Sequence, residues 1–142
     1  MQSQYVERTP IPNATDAQKA ELADFAEAAQ AAAERRYAVQ QGVIRRLPDL
    51  APAGHAGKLS NALKTWWDLP DFKAFQTEVK KTFKADIPVK ERTEWEEFLA
   101  APRAEIHALT AEIKRLEDAI NAKVYALFGL NPDEIALLEA SL

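Results

Sequence analysis

Residues 103–128 read RAEIHALTAEIKRLEDAINAKVYALF, and their apolar positions Ile106, Leu109, Ile113, Leu116, Ile120, Val124 and Leu127 recur at intervals of 3, 4, 3, 4, 4 and 3. Such spacing draws one apolar stripe down a helix, because an α-helix turns once in about 3.6 residues. The first four intervals are heptad-like and the last two form a stutter that loosens supercoiling. The stripe predicts a long packing helix, which serves either as the seam of one domain or as a coiled coil between chains.

A partner of similar length lies upstream. Thr15 and Gln18 have capping-box spacing, and Asp16 to Leu47 contains no proline and is crowded with Ala, Glu, Gln and Arg. A helix over 15–47 is expected, about 45 Å long at about 1.5 Å per residue. Its inner stripe is Leu22, Phe25, Ala29, Ala32, Arg36, Val39, Val43 and Leu47. Much of that seam is alanine, which allows close approach but buries little area, so the helix needs a partner. Before it, residues 1–14 carry Pro10 and Pro12 with no periodicity and read as a flexible arm. After it, Pro48 to Gly57 (PDLAPAGHAG) reads as a loop over 48–57.

Short helices are expected over 58–84. Leu59, Leu63 and Trp66 share one stripe, Pro70 suits the first turn of the next helix, and Phe72, Phe75, Val79 and Phe83 continue at helical spacing. Pro88 opens a long kinked helix over 88–128 with Trp95, Phe98 and Leu99 inward, and Pro102 either kinks or restarts it. Gly129 fits a C-terminal cap, and Asn131-Pro132-Asp133-Glu134 starts a short helix over 131–140 with Ile135 and Leu138 inward. No segment alternates like a strand. The expected fold is all-α: two long antiparallel helices with shorter aromatic-rich helices packed on them, so that 15–142 forms a single helical domain.

Composition narrows the function. With 142 residues there is room for one core, and 47% hydrophobic with 28% charged residues is ordinary for a folded chain. No cysteine is present, which excludes disulfides, thiolate nucleophiles and Cys-ligated zinc. No apolar run approaches about 18 residues, so no membrane partner is expected and a cytoplasmic location is the default. The net charge of −4 hides an asymmetry. Residues 58–92 hold eight basic residues, Lys58, Lys64, Lys73, Lys80, Lys81, Lys84, Lys90 and Arg92, against five acids, whereas residues 93–142 hold four against ten. The basic stretch has two readings: a surface that faces an anion, or a solvated helix face.

Several strings imitate catalytic motifs without their geometry. Gly57-Lys58 resembles the end of a phosphate-binding loop, but Leu59 stands where a metal-binding hydroxyl is needed. Pro70-Asp71 with Glu78-Val79-Lys80 spells a PD…ExK nuclease, yet on a helix Asp71 and Glu78 sit about 10 Å apart and Lys80 points about 200° from Glu78. His55 and His107 lack neighbours at metal-ligand spacing. Arg35-Arg36 and Arg45-Arg46 fall close to one helix face and suit either phosphate or intramolecular acids. Trp66 and Trp95 fall on core stripes, leaving Trp67 as the one tryptophan free to stack a base. No catalytic residue, metal ligand or cofactor-binding residue is therefore expected in this chain.

From Leu59 to Lys81 and from Ile87 to Glu139, the order of features resembles the C-terminal helical region of adenine-specific DNA methyltransferases, especially single-chain type IIG restriction–modification enzymes. That family closes with a Trp-Glu pair, a long helix and an I-D-x-x-V-Y-x-L-Y-G-L-T-x-x-E-I stretch. Trp95-Glu96 and the run from Ile120 to Ile135 (INAKVYALFGLNPDEI) match it, with Asn121, Phe128 and Asn131 as departures. Asn131-Pro132 also begins like that family's NPPY loop, but Asp133 and Glu134 replace the second Pro and the aromatic. The resemblance implies a non-catalytic tail beside an upstream methyltransferase and target-recognition domain, with duplex DNA as a further partner whose phosphates the eight basic residues from Lys58 to Arg92 would contact. The competing expectation is a helical adaptor that forms a homodimer or binds a partner through coiled-coil-like packing.

Overall fold

A computed structural model describes residues 14–141, so nearly all of the arm expected over 1–14 lies outside the described residues. Five α-helices follow in order: α1 Asp16–Ile44, α2 Asn61–Lys64, α3 Phe72–Phe83, α4 Arg92–Leu127 and α5 Pro132–Ala140. Short 3₁₀ turns lie at Leu47–Leu50, Trp66–Asp68 and Val89–Glu91, and no strand occurs among the described residues. The fold is all-α, with two long helices and shorter aromatic-containing helices packed on them.

Local chemistry accounts for the element ends. At the start of α1, the Thr15 N–H donates to Gln18 Oε1 at 2.8 Å and the Gln18 N–H to Thr15 Oγ1 at 3.1 Å, a reciprocal capping box. Asn131 and Glu134 repeat the device at the start of α5. Between them, Gly129 takes φ +69°, its N–H donates to the Ala126 carbonyl and that of Leu130 to Tyr125. This closes α4 with the paired bonds of a Schellman turn, which needs a left-handed residue.

Several expectations are corrected. The 48–57 loop begins inside a 3₁₀ turn, and α1 stops at Ile44, before Leu47, because Pro48, second in that turn, has no N–H with which to continue the α1 ladder. Pro70 does not open α3. Asp71 does, its carboxylate accepting the Ala74 N–H at 2.8 Å. The residues from Pro88 to Glu91 form an approach to α4 outside the helix itself, and α4 runs through Pro102 without a restart. The proline forfeits one intrahelical donor, and the flanking turns tolerate the loss.

The long helices and their attachments form two compact units, one drawing on the chain up to Ala32 and from Glu112 onward, the other being Ala33–Ala111. In the second, Leu63, Trp66, Phe75, Val79, Phe83 and Leu99 are fully buried, joined by Val43, Leu47, Ile87 and Ile106. Trp66 keeps its polar edge satisfied by donating its indole N–H to the Gln40 carbonyl at 3.3 Å. In the first unit, Leu22 and Leu116 are buried, Lys123 pairs with Glu21, and its ammonium lies 5.7 Å from the Phe25 ring centre. Phe98, expected inward, is 42% exposed, because it lies to one side of the buried line of its helix, and Leu138, also expected inward, is 43% exposed on a helix with no buried residue.

Leu116 is 4% exposed. Leu116→Asp would bury an unpaired carboxylate and is expected to remove several kcal/mol from a domain whose total stability is of order 10 kcal/mol. Thermal unfolding followed by circular dichroism checks it. An unchanged midpoint would mean that the stripe does not pack inside the chain.

Candidate functional site

All eight basic residues of 58–92 fall within the Ala33–Ala111 unit. That unit carries 13 Lys and Arg against 11 Asp and Glu, a net of +2, whereas the other carries 5 against 11, a net of −6. The asymmetry seen along the sequence therefore coincides with the structural division.

Seven of the eight are exposed lysines: Lys58, Lys64, Lys73, Lys80, Lys81, Lys84 and Lys90. Lys73 and Lys80 stand two turns apart on one face of α3, and Lys84 lies one turn further on, at its left-handed C-cap with φ +60°. Lys58 and Lys81 line one shallow groove of about 450 Å³ together with His55, Ser60, Glu78 and Thr82. Lys64 ends α2 and Lys90 sits in the turn before α4. Only Lys80 has a carboxylate partner among the described residues, Asp86 at 3.8 Å. Arg92 does not join the set, because its Nε donates to the Ile87 carbonyl at 2.9 Å and its side chain is partly buried.

The other groups singled out from the sequence have structural employment. Ser60 Oγ donates to Glu78 at 3.1 Å, and since Asp71 caps α3, the two carboxylates of the nuclease-like string serve different helix ends. The Gly57 N–H donates to His55 Nδ1 at 2.8 Å, while the His55 ring meets Phe83 edge-on at 5.2 Å. Gly57 has φ +75°, and a Cβ there would stand 3.2 Å from Pro48 Cβ, so the glycine serves a close backbone approach in place of a phosphate. His107 Nε2 lies 3.0 Å from the Trp67 carbonyl oxygen. Arg35 grips Glu105 with both ends of its fork, at 2.6 and 3.1 Å, which raises its pKa above the ordinary value, and Arg36 donates to Thr110 at 3.1 Å. Trp67 is partly buried against the core and meets Trp66 edge-on, so it is not a free stacking platform. Among the described residues, no group of three or more His, Asp or Glu side chains is placed to hold a metal ion, and no helix is long and apolar enough to cross a membrane.

Sequence reasoning missed a cleft of about 350 Å³ lined by Arg46, Asp49, Glu94, Trp95 and Phe98. The signal was present: Trp95, Leu99 and Ile106 follow one line at intervals of 4 and 7, and Phe98 stands about 100° off it.

The chain belongs to a family described as a domain of unknown function, DUF8810, which matches residues 15–124. No curated protein and no solved structure matches the chain. The family match takes in the first long stripe, the second as far as Val124 and the lysine-bearing elements, and it ends before Tyr125, inside the run from Ile120 to Ile135.

In the first unit, Arg115 holds Glu112 through two hydrogen bonds, at 3.0 and 2.5 Å, and these keep the Glu112 carboxyl below its usual pKa. A depressed folded-state pKa stabilises above the unfolded value, and that contribution fades as pH falls through the folded value. Carboxyl-detected NMR titration is expected to show Glu112 titrating below the ordinary glutamate value, and Arg115→Gln is expected to raise it toward that value.

Proposed function

We propose that the chain is a non-catalytic helical module of a cytoplasmic DNA methyltransferase or restriction–modification protein, supporting target recognition by packing and by contacts to DNA phosphates. One observation carries the reading. Six exposed lysines, Lys58, Lys64, Lys73, Lys81, Lys84 and Lys90, occupy one unit with no carboxylate within 4.0 Å of their ammonium groups among the described residues. Unpaired ammonium groups gain most from a polyanion, because each phosphate they neutralise releases a condensed counterion. Lysine is a point charge without a reading geometry, so these contacts would position DNA and leave sequence choice to another domain. The resemblance between Leu59 and Glu139 names the setting, with an upstream methyltransferase and target-recognition domain as the neighbour.

Titration of a duplex of about 20 base pairs at about 50 and 200 mM salt tests it. The expected result is binding at low salt that weakens steeply, with Lys73→Ala combined with Lys81→Ala reducing the log–log salt slope by about 2. Absence of binding at low salt, or binding indifferent to salt, would remove the phosphate role.

A second reading, the helical adaptor, is favoured by α5, which has no buried residue and leaves Leu137 74% exposed beside the exposed Leu138. Ile106 and Leu116 of the α4 stripe are already buried, so self-association would fall to this end of the chain. Light scattering at rising concentration would then show a dimer that Leu137→Lys dissolves. A strict monomer would eliminate the self-associating version.

A further inference from the structure

Where the 3₁₀ turn at Leu47–Leu50 meets the first turns of α4, the Ala33–Ala111 unit holds an open corner that the lysine surface does not use. Trp95 and Phe98 form its walls, with ring centres 5.4 Å apart and planes at 90°. Trp95 is backed by Phe75, whose ring stacks on it at 6.4 Å and 26°, so that wall is held in place by the core. Phe98 stays 42% exposed, which is costly for a phenyl group that nothing covers. Asp49 and Glu94 line the same cleft, and neither carboxylate lies within 4.0 Å of a cationic group among the described residues. Arg46 completes the lining, leaving two negative charges to one positive.

We propose that this corner binds a quaternary ammonium group. The ring faces are negative and attract a cation placed against them, and the two carboxylates add to the same field. An anion would meet both carboxylates, and a neutral apolar ligand would strip their water without replacing it. The right angle between the rings chooses among cations. A flat guanidinium gains most by stacking parallel to a ring, whereas a rounded trimethylammonium presents methyl groups to two perpendicular walls at once. About 350 Å³ accommodates that group with the first atoms of its chain and sits at the lower end of the range for small-molecule sites. The walls are preorganised, since Trp95 and Phe98 ride with Glu94 on one helix, and the Asp49 backbone is held by its N–H bond to the Arg46 carbonyl at 3.0 Å. The same headgroup occurs on free choline-like molecules and on a trimethylated lysine side chain.

The experiment is an NMR titration of the whole chain, reading the Trp95 indole N–H, assigned by its disappearance in Trp95→Phe. Choline chloride replaces sodium chloride at constant ionic strength, and 3,3-dimethylbutan-1-ol, the neutral carbon isostere, is the control. A saturable shift with choline and none with the alcohol is expected. Phe98→Leu and Glu94→Gln should each weaken binding about threefold to fivefold, while Arg46→Gln, which removes the like charge, should tighten it. Circular dichroism melts of these surface variants confirm that the fold is kept. A short peptide bearing trimethyllysine separates the two sources: tighter binding than choline points to a protein side chain, and equal binding to a free ammonium compound. Equal response to choline and the alcohol, or no loss in Phe98→Leu and Glu94→Gln, overturns the proposal. DNA binding through the lysines is measured separately and is unaffected by either outcome.

Discussion

The burial of Trp66 is the contact on which the Ala33–Ala111 unit turns. Two long helices with alanine-rich or interrupted stripes cannot by themselves enclose a core, because alanine removes little area from water. A large ring must fill the space, and it must do so without stranding an indole N–H. The bond from Trp66 Nε1 to the Gln40 carbonyl meets that condition and ties the chain after α2 to α1 at a fixed depth. Phe75, Val79 and Phe83 then line the inward face of α3, and Trp95 stacks on Phe75 from α4. The same short 3₁₀ segment also sets Trp67 partly buried against the core, edge-on to Trp66.

Periodicity made the helices legible, and side-chain chemistry made their ends legible. The intervals from Ile106 to Leu127 and from Phe72 to Phe83 correspond to real helices whose stripes face inward, the capping box at Thr15 forms as its spacing predicts, and Asn131 caps α5 as expected. Errors arose where two local signals competed. Pro70 and Asp71 both mark helix starts, and Asp71 prevailed because a cap satisfies a backbone N–H that a proline merely lacks. Pro102 signals a break, yet the buried Leu99 and Ile106 on either side gain more from a continuous helix than one missing hydrogen bond costs. Phe98 was misplaced because an aromatic beside a core residue reads as core, and only the three-dimensional line of burial shows otherwise.

The charged residues were legible as a set but not as individuals. That 58–92 forms a basic stretch is a matter of counting, and the fold keeps it within one unit. Counting does not reveal that Arg92 turns inward to the Ile87 carbonyl, or that Arg35 is committed to Glu105. Arginine's fork suits fixed acceptors, whereas lysine's single ammonium gains little from an exposed pair. The structure divides the cations accordingly: Arg35, Arg36 and Arg92 are occupied internally, and six of the seven exposed lysines of 58–92 have no carboxylate partner among the described residues.

The near-motifs fail for a related reason, which bears on how a helical chain acquires function. Caps, loop closures and aromatic edges draw on the same residue types as catalysis, so Asp71, Glu78, His55 and Gly57 satisfy backbone and core demands that a bundle of short helices makes repeatedly. What remains for recognition is whatever those demands leave uncommitted. In this unit two kinds of surface qualify: ammonium groups without acids, and a corner where Trp95 is fixed by the core while Phe98, Asp49 and Glu94 face outward. The first is diffuse; the second is compact. A rigid helical scaffold permits both, because neither requires the backbone to move.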